Sequence, residues 1–200
     1  MRDFEWGKFS AVGIGENAMP IGIHYISTDH DYSVSECYRK LRQLGYRNIG
    51  YQNIEASEKR NRYLFYSAYL KCCALDGMPA AQPYYDVTLD SEKVIDWINC
   101  YNLDAVICTD ESLKSALVDS SYKVPDGIGL AGLDFVSTKA KTMGFAAYVS
   151  DRNRIGRLAM DYLQSLINQN ECGVPKVENQ IAVLVRGCWQ SGSTVRAPHC

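Results

Sequence analysis

The strand-like runs RNIGYQN, DAVICT, GIGLAGLD, FAAYVSD and QIAVLVRG alternate along the chain with single helical stripes, and this alternation limits the fold more than any other feature. Antiparallel neighbours can be joined by a two-residue turn, whereas a strand–helix–strand order calls for right-handed crossovers and a mostly parallel sheet covered on both faces. Such sheets bind ligands beyond the carboxyl ends of their strands, where the loops converge. The helices are legible from their periodicity. SVSECYRKLRQLG places Val34, Cys37, Tyr38, Leu41 and Leu44 on one face, and Gly45 stops it. One long aromatic-rich helix is predicted from about Ser57 to Leu75, and SEKVIDWINCY buries Val94, Ile95 and Ile98. Asp110 and Asp151 stand where N-caps are needed, the second before a stripe of Ile155, Leu158, Ala159, Tyr162, Leu166 and Ile167. The start differs: FSAVGIG and IGIHYIS are strand-like, but only ENAMP lies between them.

Several function classes are disfavoured. In 200 residues the formal net charge is -2, so the chain has no basic footprint of the kind that grips nucleic-acid phosphates. No apolar run reaches the roughly 20 residues of a membrane span, and MRDFEWGKFS lacks the layout of a secretion signal, so the chain reads as cytoplasmic, with no membrane partner. The eight cysteines, Cys37, Cys72, Cys73, Cys100, Cys108, Cys172, Cys188 and Cys200, form no C-x-x-C pair and have no His at ligand spacing. Most read as small core residues, and neither a metal nor another cofactor is expected. Catalysis is not expected either, since His24, His30 and His199 stand in no catalytic context.

The order LRQLGYRNIGYQN, EKRNRYLFYSAYL, LDAVICTDESLKSAL, KVPDGIGLAGLD, FAAYVSDRNRIGRLAMDYLQSLI and LVRGCW resembles the effector-binding domain of LacI/GalR-family bacterial transcriptional regulators, from about Phe9 to Arg196. VPDGIGLAGLD and the run ending in Asp151 before a helix with Ile-Gly in its first turn carry most of the likeness. The resemblance implies an α/β, periplasmic-binding-protein-like type I fold: two Rossmann-like lobes with parallel sheets, joined by three crossovers, the N-terminal lobe incomplete. Residues 1–46 and 140–176 are then expected to form the partial N-terminal lobe, and 47–139 and 177–200 the C-terminal lobe. Phe9, Val12 and Ile14 should lie in a different sheet from Val106, Ile107, Ile128 and Leu130. It also implies a small-molecule effector, by family preference a sugar, a homodimer, and operator DNA reached only through a helix-turn-helix that this chain lacks. The start at Met1 reads as truncated relative to the family, and a dimerisation remnant that binds no effector is the alternative reading.

The resemblance places ligand contacts at Asp134, Arg62, Thr109 and Ser150, with Arg60 competing with Arg62, and at Asp31 or Tyr32 reaching from the opposite lobe. Each has a plainer reading. Asp134 could only cap its loop, and the charge run SEKRNR containing both arginines could be a solvated helix start. Asp110 reads as a helix cap and His30 as a solvated loop histidine. Tyr84 and Tyr85 offer a stacking face or core.

Overall fold

The computed structural model describes residues 4–118, 120 and 122–197; His199 and Cys200 lie outside them. In chain order its elements are β1 (Val12–Ile14), β2 (His24–Thr28), α1 (His30–Gln43), β3 (Ile49–Gln52), α2 (Glu55–Arg60), α3 (Leu64–Leu75) and α4 (Ser91–Cys100). There follow β4 (Ala105–Cys108), α5 (Ser112–Ala116), β5 (Gly129–Phe135), α6 (Ser137–Thr142), β6 (Ala146–Val149), α7 (Arg152–Asn168), β7 (Ala182–Val185) and β8 (Cys188–Gln190). No helix among the described residues is long and apolar enough to cross a membrane.

Two compact units result. The first, ending at Asp29 and resuming over Asp151–Arg186, holds a parallel three-stranded sheet ordered β1-β2-β7. Ile26 and Val185 pack there on Ile155 and Ala159 of α7, and Ala18, Ile23 and Tyr25 form a second small cluster. Asp151 accepts a hydrogen bond from the Arg154 amide at 2.9 Å, the cap that the residue type calls for. Ile167, placed on the apolar stripe by its spacing, is instead 50% exposed in the last turn.

The second unit, His30–Ser150 and the chain from Gly187, holds a five-stranded sheet ordered β3-β4-β5-β6-β8, parallel except for β8. Strand alternation sends Ala105, Ile107, Ala131, Leu133, Ala146 and Tyr148 to one face, under α1 and α3. Val106, Cys108, Leu130, Ala147 and Val149 go to the other, under α4, α5 and α6. The α1 stripe is buried as its spacing requires, with Val34, Cys37 and Leu41 at 0% exposure.

Val12 and Ile14 do lie in a different sheet from Val106, Ile107 and Leu130, while Phe9 and Ile128 fall just ahead of β1 and β5, outside any strand. The boundaries differ from those expected. The chain passes between the units at 29/30, 150/151 and 186/187, so α1 and β6 belong to the five-stranded unit and β7 to the three-stranded one. The cause is pairing: β6 is buried at every position between β5 and β8, while Tyr25 to Thr28 of β2 take Ala182 to Val185 as their parallel partners. The long helix expected from Ser57 to Leu75 is broken into α2 and α3, because Arg62 and Tyr63 both adopt left-handed backbone, with φ of 56° and 59°.

Candidate ligand-binding site

Polar side chains of the second unit gather at the carboxyl ends of β3, β4, β5 and β6. The key distortion is in β5. Its register against β6 steps from Leu133↔Tyr148 to Phe135↔Val149, leaving Asp134 as the extra residue of a bulge with φ of 58°. The bulge reverses side-chain parity, so Phe135 joins Leu130 on the α6 face rather than Leu133 on the α1 face. Non-glycine residues in this region carry a cost of about 1–2 kcal/mol, least for Asp and Asn, and such strain concentrates at functional positions. The half-buried carboxylate it holds accepts a hydrogen bond from Ser150 Oγ at 2.6 Å, so the two residues expected to share a site are in direct contact.

Beside this pair lies a sealed network that the sequence did not announce. Asn53 Oδ1 accepts from Thr109 Oγ1 at 2.8 Å and from the Ile54 amide at 2.8 Å. Its Nδ2 donates to Tyr51 Oη at 2.8 Å and to the Glu58 carboxylate. Glu58, with 0% exposure, also accepts from Tyr51 Oη at 2.5 Å and from the Tyr66 amide at 3.0 Å. Burial, followed by the Glu58 charge, pushes the Tyr51 phenol well above its ordinary range. A buried carboxylate is tolerated when several donors satisfy it, and here none of the three donors is a cation. Glu58 stands in the run SEKRNR, whose charge composition signals a solvated face; only its helical placement beneath Tyr51 and Tyr66 turns it inward.

The remaining expected residues distribute unevenly. Thr109 is in the network, at the end of β4. Arg60 is exposed and reaches Ser57 Oγ at 3.4 Å; Arg62 is exposed at the α2–α3 break. Asp31 and Tyr32 do not come from the other unit: both lie in α1, in the same unit as Asp134. Asp31 is 63% exposed and ion-paired with Lys71, while Tyr32 meets Tyr148 edge-on at 6.2 Å. His30 is no solvated loop residue. It opens α1 at 7% exposure, its ring edge-on to Phe65 at 4.3 Å. Asp110 accepts from the Ser112 amide at 2.8 Å, at the start of α5.

Tyr84 extends the β3 edge by a parallel bridge to Gln52, and its ring lies 5.4 Å from Trp97. The hydroxyls of Tyr84 and Tyr85 are buried with no hydrogen-bond partner among the described residues. Burial first, and then the Glu58 charge, pushes the Tyr85 phenol up. An unsatisfied buried hydroxyl is where a ligand's hydrogen bond gains most.

The three-stranded unit has polar strand ends of its own, also unforeseen. Glu16 is 6% exposed and accepts from Ser27 Oγ, and Asp29 pairs with Arg186 at 3.1 Å. No group of three His, Cys, Asp or Glu among the described residues could hold a metal ion. Cys37, Cys72, Cys73 and Cys108 are buried, and burial raises each thiol's pKa, the state of inert core cysteines.

No protein-family model matches the chain, and no curated protein sequence does. Solved structures do. The chain is similar to the transcriptional regulator CelR in its cellobiose complex, at 15% identity and a TM-score of 0.71, over 92% of this chain and 58% of that one. A LacI-family regulator from Enterococcus faecium with bound ribose aligns at 12% identity and a TM-score of 0.67, over 88% and 66%. The lac repressor dimer bound to operator and the anti-inducer ONPF aligns at 14% and 0.73, over 94% and 65%. The chain thus spans less than two thirds of each of these three chains. At such identities the likeness establishes the fold: periplasmic-binding-protein-like α/β with parallel sheets, as in LacI-family transcriptional regulators.

Proposed function

We propose that this chain is the small-molecule-sensing part of a LacI-type transcriptional regulator and that it binds a polyhydroxylated ligand, a sugar, without transforming it. The observation that carries this reading is Asp134: a carboxylate set by a left-handed bulge at a strand's carboxyl end, already bonded to Ser150, in a fold whose strand ends take ligands. Asp134 accepts from ligand hydroxyls, Ser150 donates or accepts, and Thr109, at the end of β4, widens the polar floor. The exposed guanidiniums of Arg62 and Arg60 are the candidates to fork onto a vicinal diol. Cellobiose and ribose, bound by the similar proteins, are ligands of this kind. The working form of the regulator in this proposal is a homodimer, with DNA contacted by a separate domain.

Calorimetry with a panel of mono- and disaccharides tests it. One ligand class should bind, and Asp134→Asn, which keeps a residue tolerant of left-handed backbone, should weaken that binding about ten- to hundredfold. Asp110→Ala removes a helix-start hydrogen bond and should lower stability by about 1 kcal/mol while leaving affinity unchanged. Equal losses in both variants, or no ligand in the panel, would overturn the assignment.

A further inference from the structure

At the opposite end of the five-stranded sheet from Asp134, the chain forms a groove that the sensing role does not use. Helix α1 runs back against the strands it covers, so its last turn lies at their amino ends, where Tyr46 leads into β3. The segment after β8 returns there as well, with the Ser193 amide donating to the Gly144 carbonyl at 2.7 Å. Between them is a cavity of about 660 Å³, whose lining includes Lys40, Leu44, Pro125, Trp189, Ser193 and Arg196. This is within the usual size range of small-molecule sites.

The chemistry of the lining is one-sided. Among the described residues it contains two cations, an indole and two serine hydroxyls, and no carboxylate. Both cations keep their donors available. Glu36 sits 4.0 Å from Lys40, but its carboxylate is already gripped by Arg39, at 2.9 Å through Nε and 2.6 Å through Nη2. The Arg196 guanidinium carbon sits over the Tyr46 ring, 4.4 Å from its centroid. A cation–π contact uses the ring's electrons and consumes none of the guanidinium's five N–H donors as hydrogen bonds. Asp104 and Asp126 act on Tyr46 but do not line the groove. Trp189, Leu44, Pro125 and Val195 supply its apolar lining.

We propose that this groove is a second ligand site, for a small aromatic or heteroaromatic anion. The planar ring packs on the Trp189 wall, Lys40 and Arg196 hold the anionic group, and the Ser191 and Ser193 hydroxyls complete its shell. The site stands on this geometry alone and does not depend on the sugar assignment.

Phenyl phosphate is the probe, titrated into the full chain with indole fluorescence as the readout and Trp189→Phe identifying the responding residue. The response should saturate with a Kd of about 1 mM or below, weaken with added salt, and vanish in Trp189→Phe. Benzoate tests whether a carboxylate serves as well as a phosphate. Inorganic phosphate and benzyl alcohol, each carrying half of the chemistry, should bind at least about tenfold more weakly. Lys40→Gln, on the outer end of α1, should raise the Kd about fivefold or more, and Arg196→Gln likewise. An unsaturable response, benzyl alcohol binding as well as phenyl phosphate, or an unchanged Kd in Lys40→Gln would overturn the site. Asp134→Asn should leave this titration unmoved; if it abolishes the response, the anion sits at the strand ends instead.

Discussion

Strands β4 and β7 are nearly the same word, AVIC and AVLV, yet the first is buried at every position and the second at only one. β4 lies between β3 and β5 with helices on both faces, whereas β7 is an edge strand of a three-stranded sheet and leaves Leu184 54% exposed. The contrast extends to the whole units. The five-stranded unit seals both faces of its sheet, while the three-stranded unit buries its middle strand β2 completely and leaves Ile14 of β1 61% exposed. Apolarity makes a run able to be core; the number of neighbours decides whether it is.

The comparison can be broken most directly at Ile107. Ile107→Ala should cost about 2–5 kcal/mol in urea unfolding, because a sealed two-faced core cannot collapse into the cavity. A cost within the surface range would mean that the five-stranded core is not closed in solution. Alkaline titration sharpens the same point. Tyr51 and Tyr69, both 0% exposed, have phenol pKa values raised, mainly by burial. The folded chain therefore keeps protons that the unfolded chain releases above about pH 10. Below that pH the effect is absent; above it stability should fall, by up to about 1.4 kcal/mol per pH unit for each tyrosine. Urea midpoints read against phenolate absorbance check this, and phenolate appearing before unfolding would contradict it. In the smaller unit, Asp151→Ala should cost about 1 kcal/mol through the lost Arg154 cap, with faster amide exchange concentrated in α7. The smallest effect belongs to Leu184→Ala, within about 0.5 kcal/mol. Should it approach the cost of Ile107→Ala, β7 is covered in solution by a partner, as a homodimer through this face would require.

Much of the fold was legible because periodicity is local. Val34, Cys37 and Leu41 announce the buried face of α1, and Asp151 announces the start of α7. Sheet membership was not, since AVLV and AAYV carry no mark of the strand each will pair with; for AVLV that choice is made by β2, whose Tyr25 pairs with Ala182 far along the chain, and for AAYV by β5 and β8. The α2–α3 break was hidden for another reason. Arg62 and Tyr63 are ordinary helix residues, and no glycine marks their left-handed backbone in the sequence. Of the site, Asp134, Ser150 and Thr109 could be placed by family likeness, whereas the bulge that sets Asp134 leaves no trace in GLAGLDF. Glu58 was concealed by its neighbours: a carboxylate among Lys59, Arg60 and Arg62 looks solvated until its helix is laid against Tyr51.

The three passages between units also set a timetable for synthesis. β2 leaves the ribosome well before its second neighbour β7: the His24 ring accepts from the Ile181 amide across 157 positions. At about 5–20 residues per second that gap lasts about 8 to 30 s. All four parallel strands of the larger sheet lie within His30–Ser150 and can assemble during it, most of their contacts being nearer in sequence. For that interval β2, the most buried strand of the smaller sheet, travels with one edge open to any strand that could pair with it.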